Sequence, residues 1–218
     1  MDIKETIKKE IVEKIPFDPG IYMMKDEDGK IIYVGKAKSL RKRVRQYFNK
    51  TNKTLRIEKM VEKIRNIEYI VTESELEALV LECNYIKEFM PKYNVMLKDD
   101  KTYPWIVIRR EPFPRVQSTR QLLRDGSQYY GPYGSISAQR AVLDFIREAL
   151  PLRICRQKMT MESIANAKHS PCLQYHLGNC KAPCIGRCSR EEYRGYIDIA
   201  TSVLKGDLRP VRNYLEGE

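Results

Sequence analysis

No apolar run in the sequence approaches the roughly 20 residues needed to cross a bilayer. The opening Met1-Asp2-Ile3-Lys4-Glu5 also lacks the apolar core of a secretory signal. Neither a membrane span nor a signal peptide is therefore expected, and a cytoplasmic location is. Internal repeats and low-complexity tracts are missing as well, which excludes solenoid and array architectures. Acid is in short supply: 29 Asp and Glu stand against 40 Lys and Arg, a formal charge of +11 over 218 residues. That excess favours an acidic polymer as partner, without separating DNA from RNA or anionic membrane. The length suits one domain with an appended module, or two small domains.

Cysteine is used unevenly. Of six, five lie between residues 155 and 188, too clustered for random core usage. In a reducing compartment such residues are more often metal ligands or buried side chains than disulfides. Cys155, Cys172, Cys180 and Cys184 are spaced C-x16-C, C-x7-C and C-x3-C, and Cys188 adds a further C-x3-C. Structural zinc usually relies on close pairs, so this looser frame fits an iron-sulfur cluster at least as well. His169 and His176 are further candidate ligands. Cys83 falls on the apolar face of a predicted helix and reads as inert core.

Periodicity organises the rest. Ile3, Ile7 and Ile11 predict an amphipathic helix over 2–14 that Pro16 stops. Residues 21–25 and 31–35 read as strands joined by the Asp26-Glu27-Asp28-Gly29 turn. A helix follows from Ser39 to Phe48, then a polar break over 49–53 and a second helix capped by Thr54. Residues 67–71 predict a third strand. Thr72 is expected to cap a long helix whose face carries Leu76, Leu79, Val80, Cys83 and Ile86, with Pro91 ending it. Further on, 105–109 and 115–117 look extended, Asp125-Gly126 marks a turn, and 138–149 reads as a helix. A helical tail over 190–215 is expected to break at Gly206 and Pro210.

The densest chemistry sits at the hairpin. Gly20-Ile21-Tyr22 and Tyr33-Val34-Gly35 are followed by Lys36-Ala37-Lys38-Ser39-Leu40-Arg41-Lys42-Arg43-Val44-Arg45-Gln46-Tyr47. Two phenols, several cations and a helix start at one sheet edge make a phosphodiester site. These residues resemble the GIY-YIG endonucleases, and Val-Gly-Lys-Ala-Lys is similar to their UvrC branch. Glu82 within Glu77-Ala78-Leu79-Val80-Leu81-Glu82 and Asn94 closing Met90-Pro91-Lys92-Tyr93-Asn94 continue the likeness. Lys101-Thr102-Tyr103-Pro104, Tyr130-Gly131-Pro132-Tyr133 and Leu152-Arg153-Ile154-Cys155 extend it over nearly the whole chain.

The resemblance implies an α+β fold. A small nuclease domain over 16–95, with a three-stranded, mainly antiparallel sheet and flanking helices, precedes an α/β lobe over 100–153. A cysteine-rich cluster segment over 154–189 and a helical tail over 190–218 follow. It also implies hydrolysis of one DNA strand on the 3′ side of a lesion in nucleotide excision repair, with UvrB recruiting the enzyme. Glu82 is implied as the single protein ligand of Mg²⁺ or Mn²⁺, and Asn94 as a site-orienting residue. Tyr33 is assigned as general base, with Tyr22 beside it; a phenol near its ordinary pKa is a poor base at pH 7, so Lys36 is the expected activating cation. Arg43 and Tyr47, four residues apart on one helix face, are assigned to the scissile phosphate. Lys38, Arg41, Lys42 and Arg45 are assigned to DNA backbone. The first four clustered cysteines match the family's 4Fe-4S site, with zinc as the alternative and Cys188 as a departure from the pattern. The sequence stops before the UvrB-interacting hairpin and RNase H-like half that the resemblance places next, so a shortened chain or a short homologue is expected. Two rival readings remain: a catalytically silent DNA-binding module, and a free-standing GIY-YIG nuclease acting on branched or foreign DNA.

Overall fold

Asp26 closes the first turn twice over in the computed structural model, which describes residues 7, 10–49, 54–94, 103–166 and 168–217. Its carbonyl accepts from Gly29 N at 3.1 Å and its carboxylate from Lys30 N at 2.9 Å. Gly29 takes the left-handed conformation at φ 75° that this turn demands. The turn joins β1 (Gly20–Lys25) to β2 (Ile31–Ala37), antiparallel, with Tyr22 opposite Gly35 and Met24 opposite Tyr33. On the other edge of β1 lies β3 (Asn66–Val71), also antiparallel, so the strand order is β2-β1-β3. Gly20 allows β1 and β3 to approach, since an added Cβ there would sit 2.1 Å from the Ile70 carbonyl oxygen.

Helices α1 (Leu40–Tyr47) and α2 (Leu55–Lys63) pack apolar residues against this sheet. Leu40, Val44 and Tyr47 of α1 are buried at helical spacing, as are Met60 and Val61 of α2. They join Ile15, Tyr22, Met24, Ile32, Ile64 and Ile67 in one core. The long helix α3 (Glu75–Phe89) buries Ala78, Leu79, Val80 and Cys83. Its cap is Ser74, whose side chain accepts from Glu77 N at 3.1 Å. Thr72, expected in that role, instead donates its hydroxyl to the Ser74 carbonyl at 3.0 Å and stands two residues too early. Pro91 follows a left-handed Met90, φ 44°, which ends the helix. Most of the helix predicted over 2–14 lies outside the described residues, and its described end is a 3-10 turn, Val12–Lys14. Most of the predicted break over 49–53, and the start of the lobe at 100–102, also lie outside them.

The second half builds another antiparallel sheet, ordered β5-β4-β6, from β4 (Trp105–Ile108), β5 (Val116–Thr119) and β6 (Gln128–Tyr130). Every residue of β4 is buried, as a central strand's should be. Helix α4 (Ile136–Ala149) starts two residues before the predicted one because Ser135 caps it, accepting from Ala138 N at 3.1 Å. Short helices α5 (Met161–Ala165) and α6 (Leu173–His176) precede α7 (Arg190–Lys205) and α8 (Arg209–Glu216). Gly206, φ 94°, ends α7 as expected. Pro210 does not break a helix but sits in the first turn of α8, where its missing N–H costs nothing.

Tyr193 on α7 donates its hydroxyl to the Pro114 carbonyl and accepts from Arg153 N, both at 3.0 Å. Arg153 is itself 2% exposed, ion-paired with Glu111 and bonded to the Phe113 and Gln157 carbonyls at 2.8 and 2.9 Å. These bonds link lobe, cysteine segment and tail, and Asp99–Glu218 forms one compact unit, with Met1–Lys98 the other. The architecture is α+β with antiparallel sheets.

Candidate active site

Strand β2 lies at the edge of its sheet, so alternate residues turn backbone groups away from β1 and require other partners. The Ile32 carbonyl accepts from Tyr93 N at 2.8 Å. Val34 N–H and C=O both meet the Asn94 side-chain amide, each at 2.8 Å. Lys36 N donates to a Glu82 carboxylate oxygen at 3.0 Å. Helix α3 and the turn after it thus close this edge, and the closure brings Glu82 and Asn94 to the strand that carries Tyr33. Arg56 steadies the same turn, donating to the Tyr93 and Asn94 carbonyls at 3.1 and 3.0 Å.

Asn94 is buried and works as a clamp. Asn94→Ala would leave both Val34 groups unpaired at about 1 to 3 kcal/mol apiece, so a stability loss of about 2 to 6 kcal/mol is expected. A urea midpoint lowered without a change in m reports it; a loss below about 0.5 kcal/mol, no larger than an ordinary surface change, would remove the clamp.

Three phenols meet on the sheet face beneath α1. Tyr22 and Tyr47 hydroxyls are 2.9 Å apart, and Tyr47 donates to Tyr33 over a longer 3.3 Å. Since each phenol has one proton, Tyr22 must donate to Tyr47, and Tyr33 ends the chain with its own O–H still available. Their ring centroids are about 6 Å apart in every pair. Gly35 makes this possible: a Cβ there would stand 2.5 Å from the Tyr22 hydroxyl. The glycine of Tyr-Val-Gly is thus set by the neighbouring tyrosine rather than by a turn.

A cleft of about 550 Å³ opens beside them, lined by Tyr22, Tyr33, Lys36, Lys42, Arg43 and Glu82 among others. Burial raises the Glu82 carboxyl above the usual carboxylate range, and the Lys36 N–H bond, the Lys36 charge and Arg43 pull it back only in part. Burial also pushes the Tyr22 phenol up, reinforced by Tyr33 and Tyr47 and opposed by Arg43. Tyr33 rises for the same first cause, then through Tyr47 and Glu82. The Arg43 guanidinium stays firmly charged, because the phenol oxygens around it outweigh the cost of its burial. It lies 5.5 Å from the Tyr47 ring centroid and donates to Gln46 Oε1 at 3.1 Å.

The basic residues divide. Lys38 and Lys42 line the cleft, Lys38 in an exposed ion pair with Glu75 at 2.9 Å. Arg45 is exposed and does not line it. Arg41, expected on DNA, is committed elsewhere: its Nε donates to the Ile15 carbonyl and its guanidinium covers the Phe17 ring at 4.3 Å. Lys36, expected to activate Tyr33, lines the same cleft, and its backbone N–H and charge act on Glu82. Gln46 and Ser39 join the lining unforeseen. Gln46 was within reach of helical spacing, three residues after Arg43.

The oxygen groups lining the cleft, the Glu82 carboxylate and the Tyr22 and Tyr33 phenols among them, suit a hard cation such as Mg²⁺ or Mn²⁺. Among the described residues no group of three or more His, Cys, Asp or Glu is gathered to hold a metal. Among the described residues lining the cleft, Glu82 is the carboxylate. All six cysteines are free thiols. Burial raises the Cys180 and Cys184 thiols, and the charges of Cys155 and Cys172 add to both shifts, but among the described residues these cysteines are not gathered to hold a metal. Cys188 faces Glu192 and donates to the Ser189 carbonyl; burial and that carboxylate push its thiol up to about 12. His169 bonds Ser163 at 3.1 Å, and His176 packs edge-on to Tyr175.

Comparison with known proteins follows the same division. A family model for the UvrC-like GIY-YIG domain matches residues 18–95. A second, for the UvrC/Cho excinuclease middle domain, matches residues 103–203. The UvrABC system protein C of Christiangramia forsetii is 49% identical over 198 residues, covering 91% of this chain and 33% of that protein. That of Salinibacter ruber is 44% identical over 219 residues, covering 100% of this chain and 35% of its own length. The chain spans about a third of the length of these relatives. A crystal structure of the GIY-YIG N-terminal endonuclease domain of UvrC from Thermotoga maritima, bound to magnesium, is 42% identical at a TM-score of 0.38, covering 42% of this chain and 98% of that one.

Proposed function

This chain belongs to the UvrC family of GIY-YIG nucleases, and we propose that it hydrolyses one strand of DNA on the 3′ side of a lesion, with UvrB directing it there. The observation that carries the reading is the convergence of Tyr33, Arg43 and Glu82 on one cleft. A divalent ion held by Glu82 would supply positive charge to the phosphate and favour ionised oxygens beside it. Tyr33 takes the proton of the attacking water, and Tyr22 and Tyr47 hold its oxygen in place from behind. Arg43 forks onto the phosphate as negative charge develops there. Lys38 and Lys42 neutralise neighbouring phosphates, and Asn94 keeps β2 in register with Glu82.

The test is nicking of a lesion-bearing duplex loaded with UvrB, in Mg²⁺ and in EDTA. Metal-dependent cleavage 3′ to the lesion is expected. No cleavage of any duplex would leave a DNA-binding module, whereas equal cleavage of undamaged branched DNA without UvrB would make it a free-standing nuclease.

The cysteine segment carries a second part of the reading, a 4Fe-4S cluster on Cys155, Cys172, Cys180 and Cys184. Their clustering in the sequence and their soft thiolate chemistry support it. Anaerobically reconstituted protein is expected to retain iron and sulfide and to absorb broadly near 400 nm, as thiolate-bound iron does. Stoichiometric zinc with neither iron nor sulfide would overturn the cluster. Cys188→Ser should leave the iron content unchanged.

A further inference from the structure

Outside the catalytic cleft, the second unit carries two adjoining hollows that share Ser118 and Arg147. They measure about 380 and 540 Å³ and run along β5 and α4. Their charged lining is Arg115, Arg120, Arg140, Arg147 and Arg156, opposed by Asp144 alone. Not all of these cations are available. Arg115 is held by both carboxylate oxygens of Glu111, and Arg147 reaches Asp144 at 3.8 Å. Arg120, Arg140 and Arg156 are exposed and pair with no acid among the described residues.

Between them, Ser118 keeps a proton to donate. Buried Gln139 gives one amide proton to the Trp105 carbonyl at 2.6 Å and the other to Ser118 Oγ at 2.9 Å. The Ser118 oxygen is thereby occupied as an acceptor, which leaves its own proton to donate at the junction of the hollows. Buried Val116 and Leu143 line the floor, and among the described residues no aromatic one lines either hollow.

We propose that this face binds the phosphate backbone of duplex DNA, as a docking surface made of none of the catalytic cleft's residues. A surface whose free charges are guanidiniums, opposed among the described lining residues by the Asp144 carboxylate, suits a partner rich in anionic acceptors. Guanidinium forks match phosphate oxygens in pairs, and their spread over two hollows fits successive phosphates better than one small anion. Without aromatic platforms, unstacked single-stranded bases find nothing to lie on, which favours the duplex. The contacts read no sequence, as an enzyme directed by damage would need.

The experiment measures affinity of the 218-residue chain for an undamaged duplex across salt concentration. In Arg120→Gln/Arg140→Gln/Arg156→Gln, three lost phosphate contacts should lower the slope of log affinity against log salt by about 2.7. The affinity lost between about 50 and 200 mM salt then becomes roughly fortyfold smaller than in the parent chain. The corresponding triple Lys variant should keep the parent slope, because counterion release counts charges. Lys30→Gln/Lys59→Gln/Lys63→Gln removes equal charge elsewhere and should also keep it. An unchanged slope in the glutamine variant, with its melting temperature intact, overturns the proposal. So does a variant that keeps duplex binding while losing polyglutamate or anionic vesicles, which would assign the face to an acidic protein or a lipid surface. Because binding is read without cleavage, a chain that docks DNA but never nicks it would refute the catalytic reading and leave this one standing.

Discussion

Glu82→Gln is expected to lower metal-dependent nicking about a hundredfold or more, since the metal's charge stabilisation is worth several kcal/mol and each 1.36 kcal/mol is tenfold in rate. Glutamine keeps the oxygen that accepts from Lys36 N, so the β2 edge stays closed and DNA affinity is nearly unchanged. Stability should move the other way in metal-free protein. The folded pKa of Glu82 lies above its unfolded value because burial penalises the charge. Between those two values the folded state binds the extra proton, so stability falls as pH rises through that window and stays lower above it. The Gln variant carries no such penalty. Its melting temperature should exceed the parent's at pH 7, with the gain disappearing below the ordinary carboxylate pKa of about 4. Parental nicking rates in Glu82→Gln at saturating Mg²⁺ would remove the carboxylate from the chemistry; equal melting at pH 7 would remove the burial argument.

The hairpin was legible because turn residues, strand periodicity and the paired tyrosines agree, and Asp26 and Gly29 play the parts their types suggest. Glu82 and Asn94 could be named through family likeness, but what holds them could not. The spare hydrogen bonds of an edge strand become visible only once the strand order is known. For Arg41, helical spacing gives a side chain's direction, whereas the Ile15 carbonyl and the Phe17 ring that it meets lie before β1 in the chain. For Lys36, proximity in sequence suggests a side-chain role, and the strand order adds a backbone one, its N–H on the Glu82 carboxylate. In the second unit, β6 escaped notice because three residues, Gln128–Tyr130, are too short for a period to emerge. Pro210 was read as a breaker, although the same ring that interrupts a helix interior begins one.

Tyr33→Phe carries the other large expected effect, a nicking loss of about a hundredfold or more, within the range for removing a positioned general base. The three phenols are not equivalent. Tyr22 is 1% exposed and Tyr47 is 8% exposed, while Tyr33 is only partly buried and ends the hydrogen-bonded chain at the cleft. Water can therefore reach the Tyr33 oxygen, and the substitution removes that one atom while the ring keeps its packing. The stability cost should stay near 1 kcal/mol, since the Tyr47 hydroxyl loses one partially exposed acceptor. A pH profile separates chemistry from packing. Burial, Tyr47 and Glu82 raise the Tyr33 pKa, so its ionised fraction grows throughout the accessible alkaline range, and the parent's rate should climb with pH. In Tyr33→Phe that climb should vanish along with most of the rate. Tyr22→Phe should retain the climb, at a lower melting temperature, because it removes the donor that Tyr47 receives in the buried end of the chain. Normal cleavage by Tyr33→Phe beside a dead Tyr22→Phe would exchange the two roles and make the buried phenol the base.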